Sequence, residues 1–268
     1  MKKLALLCGV PRSGTTLLAN LMAQNPTVYA TATSGLRDTL LGIRSICDDN
    51  DSYRAMPPAE RKERKLAVMR GALRGYFAHA EDKVCFDKNR GWPASFEMME
   101  WVLGDRSKAI VCVRDIRDVL ASFEKLYHKA SAGMPELPEH RTALSRAEFV
   151  LRPDKPVGLA MNTVRDAVTR GWRSHMLFVE YDALCREPQA ELDRIYTFIG
   201  EEPFDHDPMH VEQVTVEDDS VHGFVGLHDI RSEIKPQVHQ WPTVFDDSVT
   251  KTPFWDRITQ WARFWEHL

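Results

Sequence analysis

A buried strand that runs into a turn between two glycines constrains this 268-residue chain more than any other feature. Leu4 to Val10 is an almost continuous apolar run, as expected for a strand buried on both faces of a parallel sheet. The turn Gly9-Val10-Pro11-Arg12-Ser13-Gly14-Thr15-Thr16 follows and opens a predicted helix over Thr15 to Gln24. Backbone N–H groups and a helix N-terminus in such a turn can hold an anion, so the segment predicts a phosphate site.

One position of this turn argues against a nucleoside triphosphatase. A Walker A loop has a lysine directly after its second glycine, where this chain has Thr15. The cation of the turn is Arg12 instead. Because the lysine that grips the β- and γ-phosphates is missing, the turn favours a nucleotide whose 5' end is not a triphosphate. The simplest alternative is an ordinary strand-to-helix turn capped by Ser13 or Thr15.

Strand and helix patterns alternate along most of the chain. Further strand candidates are Thr27 to Thr31, Lys83 to Asp87, Lys108 to Val113 and Met176 to Tyr181. Predicted helices lie near Glu60 to Ala80, Pro93 to Leu103, Ile116 to Lys129, Val157 to Trp172 and Gln189 to Ile199. This alternation predicts a single α/β domain over residues 1–268, with three α/β/α layers and a mostly parallel sheet. Ligands then bind outside the carboxyl ends of the strands.

Two regions show no such alternation. Residues 130–156 are rich in Pro, Glu and Arg, and we expect a mobile insertion over a site. Residues 201–268 form a predicted loop-rich extension that ends in an amphipathic helix over Phe254 to Leu268. The apolar stripe of that helix consists of Trp255, Ile258, Trp261, Phe264 and Trp265. His206, Asp207 and His210 lack a tight ligand spacing, which favours solvated side chains over a metal site.

Composition excludes several classes of protein. The net charge of -4 leaves no broad basic surface for a nucleic-acid backbone. The five cysteines are scattered, as in a reducing compartment, so we expect a cytoplasmic protein. No apolar run approaches the roughly 18 residues that a membrane span needs.

A second segment with binding chemistry lies at the end of the predicted strand Lys108 to Val113. Arg114 follows the strand, and Ser122 lies two helical turns further on. If the chain turns back sharply at Arg114, its guanidinium and the Ser122 hydroxyl can reach one phosphate. The alternative is a surface ion pair between Arg114 and Asp115, with Ser122 solvated.

Together these segments resemble the sulfotransferases that use 3'-phosphoadenosine 5'-phosphosulfate (PAPS). The turn from Gly9 to Leu17 is similar to the 5'-phosphosulfate loop of that family, above all in its tyrosylprotein and bacterial members. Arg114 and Ser122 match the family's 3'-phosphate motif in type and spacing. The segment Phe178 to Leu184 resembles its tyrosine-bearing strand, which implies that Tyr181 contacts the adenine.

The resemblance implies a P-loop-like topology and a reaction. A sulfuryl group would move in line from PAPS to a hydroxyl, or less readily an amine, without a metal, leaving adenosine 3',5'-bisphosphate (PAP). Arg12 and Lys88 would stabilise the charge that develops during transfer. The backbone amides of Ser13, Gly14, Thr15 and Thr16 would bind the 5'-phosphate. Lys235, in a segment similar to the family's late nucleotide-covering loop, would add charge near the phosphates.

The proton acceptor does not carry over from the family. The stretch after the second strand has no carboxylate where tyrosylprotein sulfotransferases have a glutamate. Arg90 stands where cytosolic sulfotransferases have a histidine. Asp38, His128 and His175 are the candidates for a replacement base.

Two other functions stay open on the sequence. One is a P-loop kinase that uses ATP and Mg²⁺, and the other is a nucleotide-binding protein without catalytic activity. The acceptor substrate and the oligomeric state are not predicted.

Overall fold

One sheet of five parallel strands lies at the centre of the protein, whose computed structural model describes residues 1–104, 107–130, 141–222 and 226–268. The strands are β1 (Lys3–Gly9), β2 (Val28–Thr33), β3 (Val84–Lys88), β4 (Ala109–Val113) and β5 (Met176–Glu180). Their order is β2-β3-β1-β4-β5, with every neighbouring pair parallel. The chain crosses from one side of β1 to the other between β3 and β4, and such a switch point opens a crevice at the carboxyl ends.

Helices cover both faces of the sheet. Those before β4 are α1 (Thr15–Met22), α2 (Leu36–Asp49), α3 (Asp51–Arg54), α4 (Pro58–Tyr76) and α5 (Phe96–Leu103). Those that follow are α6 (Ile116–Ala130), α7 (Ala143–Val150), α8 (Pro156–Thr169), α9 (Tyr181–Arg186), α10 (Pro188–Ile199), α11 (Trp241–Val244), α12 (Asp247–Thr250) and α13 (Pro253–Gln260). The predicted α/β fold with a parallel sheet is confirmed. Among the described residues, no helix combines the length and apolar character that crossing a bilayer requires.

Side chains of alternate strand residues enter two separate cores. Leu6 and Val111 join the core that contains Trp92 and Phe96, under α4, α5 and α6. Leu7 and Ile110 point the other way and pack with residues of α1 and α10. Because both faces of β1 and β4 are buried, these strands carry no charged or polar side chain after Lys3, which begins β1, as the sequence predicted.

β1 and β4 approach each other closely where they end. A Cβ atom on Gly9 would lie 2.2 Å from the carbonyl oxygen of Cys112, and Gly9 has a φ of +150°. The N–H of Val10 donates to that same carbonyl at 3.2 Å. Only glycine fits this contact, so the turn after β1 is held directly against the end of β4.

The predicted helix over Phe254 to Leu268 is wrong in its second half. α13 ends at Gln260, and a short 3₁₀ turn follows at Phe264–His267. The break lets the carbonyl of Ala262 accept the N–H of Ile116 at 2.9 Å, at the start of α6. Phe264 and Trp265 are buried as expected, whereas Trp261 is 47% exposed and does not belong to the buried stripe.

The predicted insertion at residues 130–156 is only partly described. Within residues 141–156 the chain forms α7, whose capping box joins Thr142 and Ser145. Residues 131–140 lie outside the described residues. The single-domain organisation and the mobility of this segment stay predictions.

Candidate active site

The turn after β1 owes its shape to left-handed residues and to one buried hydroxyl. Arg12 and Gly14 have φ values of 67° and 90°. The Ser13 hydroxyl donates to the carbonyl of Val10 at 2.6 Å and lies 2.8 Å from that of Cys112. The N–H of Ser13 also donates to Val10, at 3.2 Å. Ser13 therefore supports the turn from within, and its predicted role as a phosphate-binding amide does not fit this internal hydrogen bond.

The next three amides are better placed to bind an anion. Gly14 precedes α1, and Thr15 and Thr16 are its first two residues. N–H groups at the start of a helix have no acceptor within that helix, and the positive end of the helix dipole lies beside them. No acidic residue occupies the first turn of α1. This end of α1 can therefore accept a phosphate.

Arg12 connects the turn to α6 and to the C-terminal part of the chain. Its Nε donates to the Ser122 hydroxyl at 3.0 Å, and its Nη1 donates to the carbonyl of Leu227. Burial lowers the pKa of Arg12, and the neighbouring Arg114 lowers it further. The two segments singled out in the sequence thus meet in one hydrogen bond, between residues 110 positions apart.

Arg114 faces the same turn from the end of β4. Its side chain is buried, and Nη1 donates to the carbonyl of Arg12 at 3.4 Å. The guanidinium carbon lies 4.4 Å from the centre of the Tyr181 ring. Its Nε is buried and has no hydrogen-bond partner among the described residues. A buried donor without an acceptor is costly, and an anion bound beside it would satisfy it.

The Tyr181 ring packs against the turn at Gly14. A Cβ atom on Gly14 would lie 2.6 Å from the Tyr181 ring, so the ring packs directly on the backbone of the turn. Burial raises the pKa of Tyr181 to about 12, which keeps its phenol neutral. The predicted contact of this ring with an adenine stays a prediction.

Lys88 brings a second cation to the turn from β3. It is only 5% exposed, and its Nζ lies 3.2 Å from the Thr16 hydroxyl and 2.7 Å from Oε1 of Glu217. Burial lowers the pKa of Lys88, while the Glu217 carboxylate opposes that effect. A buried cation therefore reaches the turn from a neighbouring strand, although the turn itself has no Walker lysine.

The C-terminal part of the chain contributes three side chains that the sequence analysis missed. Glu217 also accepts the N–H of Thr33 at 2.8 Å, at the end of β2. Asp219 accepts from Nδ1 of His228 at 2.5 Å, and Oε2 of Glu217 lies 3.5 Å from that nitrogen. The sequence contains the acidic run Glu217-Asp218-Asp219, but no periodic pattern in it shows that Glu217 and Asp219 are partly buried while Asp218 is exposed.

These elements enclose a cavity of about 560 Å³ at the carboxyl end of β1. Of the predicted site residues, the ones that line it are Arg12, Gly14, Thr15, Thr16, Lys88, Arg114, Ser122, Tyr181 and Lys235. Four more basic residues line it, namely Arg90, Lys125, Lys129 and Arg231, against the acidic Asp229 and Glu233. Such an excess of positive charge suits a ligand with several negative charges.

Lys235 holds the weakest position among the predicted residues. Its side chain is 63% exposed and pairs with Glu233 at 2.7 Å. An exposed ion pair of this kind contributes little, so Lys235 adds charge at the rim of the cavity and no fixed contact.

The three candidate bases do not line the cavity formed by the described residues. Asp38 is 70% exposed and pairs with Arg37 at 3.0 Å. His128 is 67% exposed and contacts Glu124 one turn earlier on α6, at 2.9 Å. The His175 ring packs against Trp172, with ring centres 5.3 Å apart. The structure therefore does not bring these side chains to the predicted site.

One group of described side chains has metal-ligand types, and it differs from the histidines considered in the sequence. Ligand atoms of Asp118, Asp182 and His239 lie within 4.8 Å of one another. Asp118 already accepts from Nδ1 of His239 and from the N–H groups of Gln240 and Trp241. These bonds fix the segment that leads into α11, which accounts for the cluster without an ion. His210 pairs with Asp207 at 2.8 Å on the exposed surface.

Comparisons with known structures agree with this fold. Over 98% of its length the chain matches the sulfotransferase domain of an olefin synthase from Synechococcus PCC 7002, with 20% identity, a TM-score of 0.53 and 94% coverage of that domain. The sulfotransferase domain from the curacin biosynthetic pathway matches with 15% identity and a TM-score of 0.54, covering 97% of each chain. The mouse sulfotransferase SULT7A1, in complex with PAP, matches with 14% identity and a TM-score of 0.50, covering 97% of this chain and 84% of that one.

Identities this low establish the fold alone, and no curated protein sequence matches significantly. The family itself is established by sequence. Residues 5–206 match the model that describes the sulfotransferase family, a span that contains the turn after β1, Lys88, Arg114, Ser122 and Tyr181. This match agrees with the turn that lacks a Walker lysine and with the basic segment beside it, and it shows that the chain belongs to the sulfotransferase family.

Proposed function

We propose that this protein transfers a sulfuryl group from PAPS to a hydroxyl, or less readily an amine, and releases PAP. One observation carries the proposal: the turn after β1 and the segment from Arg114 to Ser122 line one cavity and touch through Arg12 and Ser122. A nucleotide with phosphate groups at both its 5' and 3' positions needs two such anion sites. Triphosphate binding by a P-loop kinase needs only the first.

The residues present fit this nucleotide. The buried Nε of Arg114 lacks an acceptor within the described part of the chain, and a 3'-phosphate beside it would supply one. The Ser122 hydroxyl can donate to the same phosphate while accepting from Arg12. The amides of Gly14, Thr15 and Thr16 would hold the 5'-phosphate at the start of α1.

PAPS supplies the sulfuryl group, and negative charge grows on the oxygen that bridges to its 5'-phosphate as transfer proceeds. Arg12, which belongs to the turn, and Lys88, which reaches it from β3, both line the cavity and stabilise that charge. Both are held by hydrogen bonds before any ligand binds, Arg12 by Ser122 and Lys88 by Glu217. Such preorganised donors need little rearrangement in the transition state. We further propose that this chemistry needs no metal and that the protein acts in the cytoplasm.

Calorimetric titration with PAP, AMP and ATP, each with and without Mg²⁺, tests the proposal. We expect PAP to bind most tightly, without dependence on Mg²⁺. Arg114→Ala should weaken PAP binding about 10- to 100-fold, since hydrogen bonds to charged groups contribute about 1.5–3 kcal/mol. It should leave AMP binding, which lacks the 3'-phosphate, much less affected.

Arg117→Ala is the matched control. Arg117 lies three residues further on, pairs with Asp115 at 2.6 Å and does not line the cavity. Its PAP affinity should equal that of the wild type. Tighter binding of ATP with Mg²⁺ than of PAP, or equal PAP affinity in the Arg114 variant, would contradict the proposed function.

A further inference from the structure

The proposed reaction needs a group that takes the acceptor's proton, and the C-terminal part of the chain offers two. Glu217 and His228 both lie next to Lys88, since the Glu217 carboxylate contacts both side chains. Glu217 lies outside the segments that carry the family resemblance, whereas His228 lies within residues 226–236, the segment similar to the family's late nucleotide-covering loop. The contacts of each side chain decide between them.

Glu217 is held as an ionised carboxylate by two hydrogen-bond donors. Its Oε1 accepts from Nζ of Lys88 at 2.7 Å and from the N–H of Thr33 at 2.8 Å. Burial raises the pKa of Glu217, but these hydrogen bonds outweigh burial and the net shift is downward. The Glu217 side chain does not line the cavity either. It is a poor base, because a carboxylate with a low pKa gives little driving force for proton transfer.

His228 has the opposite properties. It lines the cavity together with Arg12 and Lys88. Asp219 holds it with both carboxylate oxygens: Oδ1 lies 2.5 Å from Nδ1, and Oδ2 accepts the backbone N–H of His228 at 3.0 Å. The preceding carbonyl, that of Leu227, accepts from Arg12. The imidazole is therefore fixed relative to Arg12, the cation of the turn.

The contact with Asp219 also fixes the tautomer. An acidic partner at Nδ1 keeps the proton on that nitrogen, so Nε2 carries the lone pair. Charged groups of the described residues that face the ring include Asp219, Glu217 and Lys88. Burial, followed by Lys88, lowers the pKa of His228 against the two carboxylates, so the ring is neutral near pH 7. A neutral imidazole with an oriented lone pair is suited to accept a proton.

We propose that His228 is the general base of this sulfotransferase and that Asp219 is its positioning residue. Nε2 takes the hydroxyl proton while the acceptor oxygen bonds to sulfur. The bond from sulfur to the bridging oxygen breaks, and its electron pair leaves with the 5'-phosphate. The imidazolium that forms is stabilised by Asp219. The inference rests on the proposed function.

The test uses PAPS and a series of substituted phenols of decreasing pKa, with the wild-type protein and the His228→Gln variant. Removing a general base typically lowers the rate about 10²- to 10⁴-fold, so we expect a kcat loss of that order with unsubstituted phenol. The loss should shrink steadily as the phenol becomes more acidic, because an already ionised acceptor needs no base. The fall of kcat/KM at acidic pH should be present in the wild type and absent in the variant.

Two further variants separate catalysis from structure. His210→Gln removes the exposed histidine that also pairs with an aspartate, and it should match the wild type throughout. Asp219→Asn keeps the ring but weakens its orientation, and it should shift the acidic limb of the pH profile while lowering kcat less than His228→Gln does. Calorimetry should show equal PAP affinity in all four proteins.

Each outcome bears on a different statement. A loss of equal size for all phenols, or an unchanged acidic limb in His228→Gln, would overturn the assignment of the base. A wild-type protein that binds PAP but neither sulfates a phenol nor hydrolyses PAPS would overturn the proposed function, and the assignment of the base with it. Failure of the wild type to bind PAP would also overturn the proposed function.

Discussion

The two sides of the cavity are built in different ways. The turn after β1 is attached to the sheet, with Gly9 pressed against Cys112 and Ser13 bonded inward. The opposite side, residues 215–235, contains one short 3₁₀ helix at Asp219–His222 and is otherwise irregular where described. It is attached to the rest of the site by two hydrogen bonds. The Glu217 carboxylate accepts from Lys88, and the backbone carbonyl of Leu227 accepts from Arg12. The sheet therefore fixes the cofactor side of the site, whereas a few polar contacts position the other side.

The largest effect should come from the attachment of the turn to the sheet. Gly9→Ala places a methyl group 2.2 Å from the carbonyl of Cys112, in a backbone conformation that disfavours side chains. Strain and overpacking together should lower the free energy of unfolding by about 4 kcal/mol. Urea denaturation followed by circular dichroism measures this difference in the free energy of unfolding.

Gly42→Ala is the control for that substitution. Gly42 lies inside α2 with no atom within 4 Å of its would-be Cβ. Alanine there should stabilise the protein by about 0.5–1 kcal/mol. If Gly9→Ala is as stable as the wild type, the turn is not held by β4 in the way described.

The next largest effect should come from Lys88, where the two sides meet. Lys88→Ala should lower kcat about 10²- to 10³-fold, as removal of a transition-state donor typically does. The double variant Lys88→Met with Glu217→Gln removes both buried charges and keeps the same catalytic defect without an unpaired carboxylate. Lys62→Ala, on the exposed face of α4, is the control. Wild-type turnover by the double variant would refute the assigned role of Lys88.

A smaller effect concerns the pH dependence of the sheet itself. Asp87 precedes Lys88, is fully buried, and accepts from Nε1 of Trp92 at 2.9 Å. Burial raises the pKa of Asp87 to about 6. Between the usual pKa of an aspartate and about pH 6, Asp87 is protonated in the folded protein but ionised in the unfolded chain. Its protonation therefore stabilises the folded state at acidic pH. That contribution is lost as the pH rises through about 6.

Asp87→Asn should remove this dependence. Relative to the wild type, the variant should gain about 1.4 kcal/mol of unfolding free energy between pH 5 and pH 8. Asp82→Asn, an exposed neighbour, should show no such gain. Urea denaturation of the wild type and both variants at pH 5 and pH 8 measures these differences. If the unfolding free energies of the three proteins change equally between the two pH values, Asp87 does not ionise in this range in the folded protein.

The smallest effect is expected at Lys235. Because its side chain is exposed and already paired with Glu233, Lys235→Ala should change PAP affinity by less than about 1 kcal/mol. Calorimetry measures it. A tenfold or greater loss would show that residues 226–235 grip the nucleotide as firmly as the turn does, and the contrast between the two sides would disappear.

The same contrast explains what the sequence could predict. β1, β4 and the helices after them have apolar periods that set their boundaries, so motifs at their ends acquire a position in space. Arg12, Arg114 and Ser122 were found together for that reason. Glu217, Asp219 and His228 lie in a segment without such a period, where burial depends on long-range packing. The proposed base could therefore be found only from the structure.

The end of the chain was mispredicted for a related reason. Trp255, Phe264 and Trp265 have helical spacing and are buried, but the helix between them stops at Gln260. Local periodicity cannot reveal that the carbonyl of Ala262 accepts a hydrogen bond from Ile116 at the start of α6, more than 100 residues earlier. α2 was not predicted either, since only Leu36, Leu40 and Cys47 of its fourteen residues are buried.

The pairing of Lys88 with Glu217 gives the site a counter-ion of its own. A cavity lined by bare cations would attract small anions from solution, and its affinity for a polyanion would fall steeply with ionic strength. Here one deeply placed cation is already neutralised within the protein. Nucleotide binding should consequently depend less on dissolved salt than the number of basic lining residues alone implies.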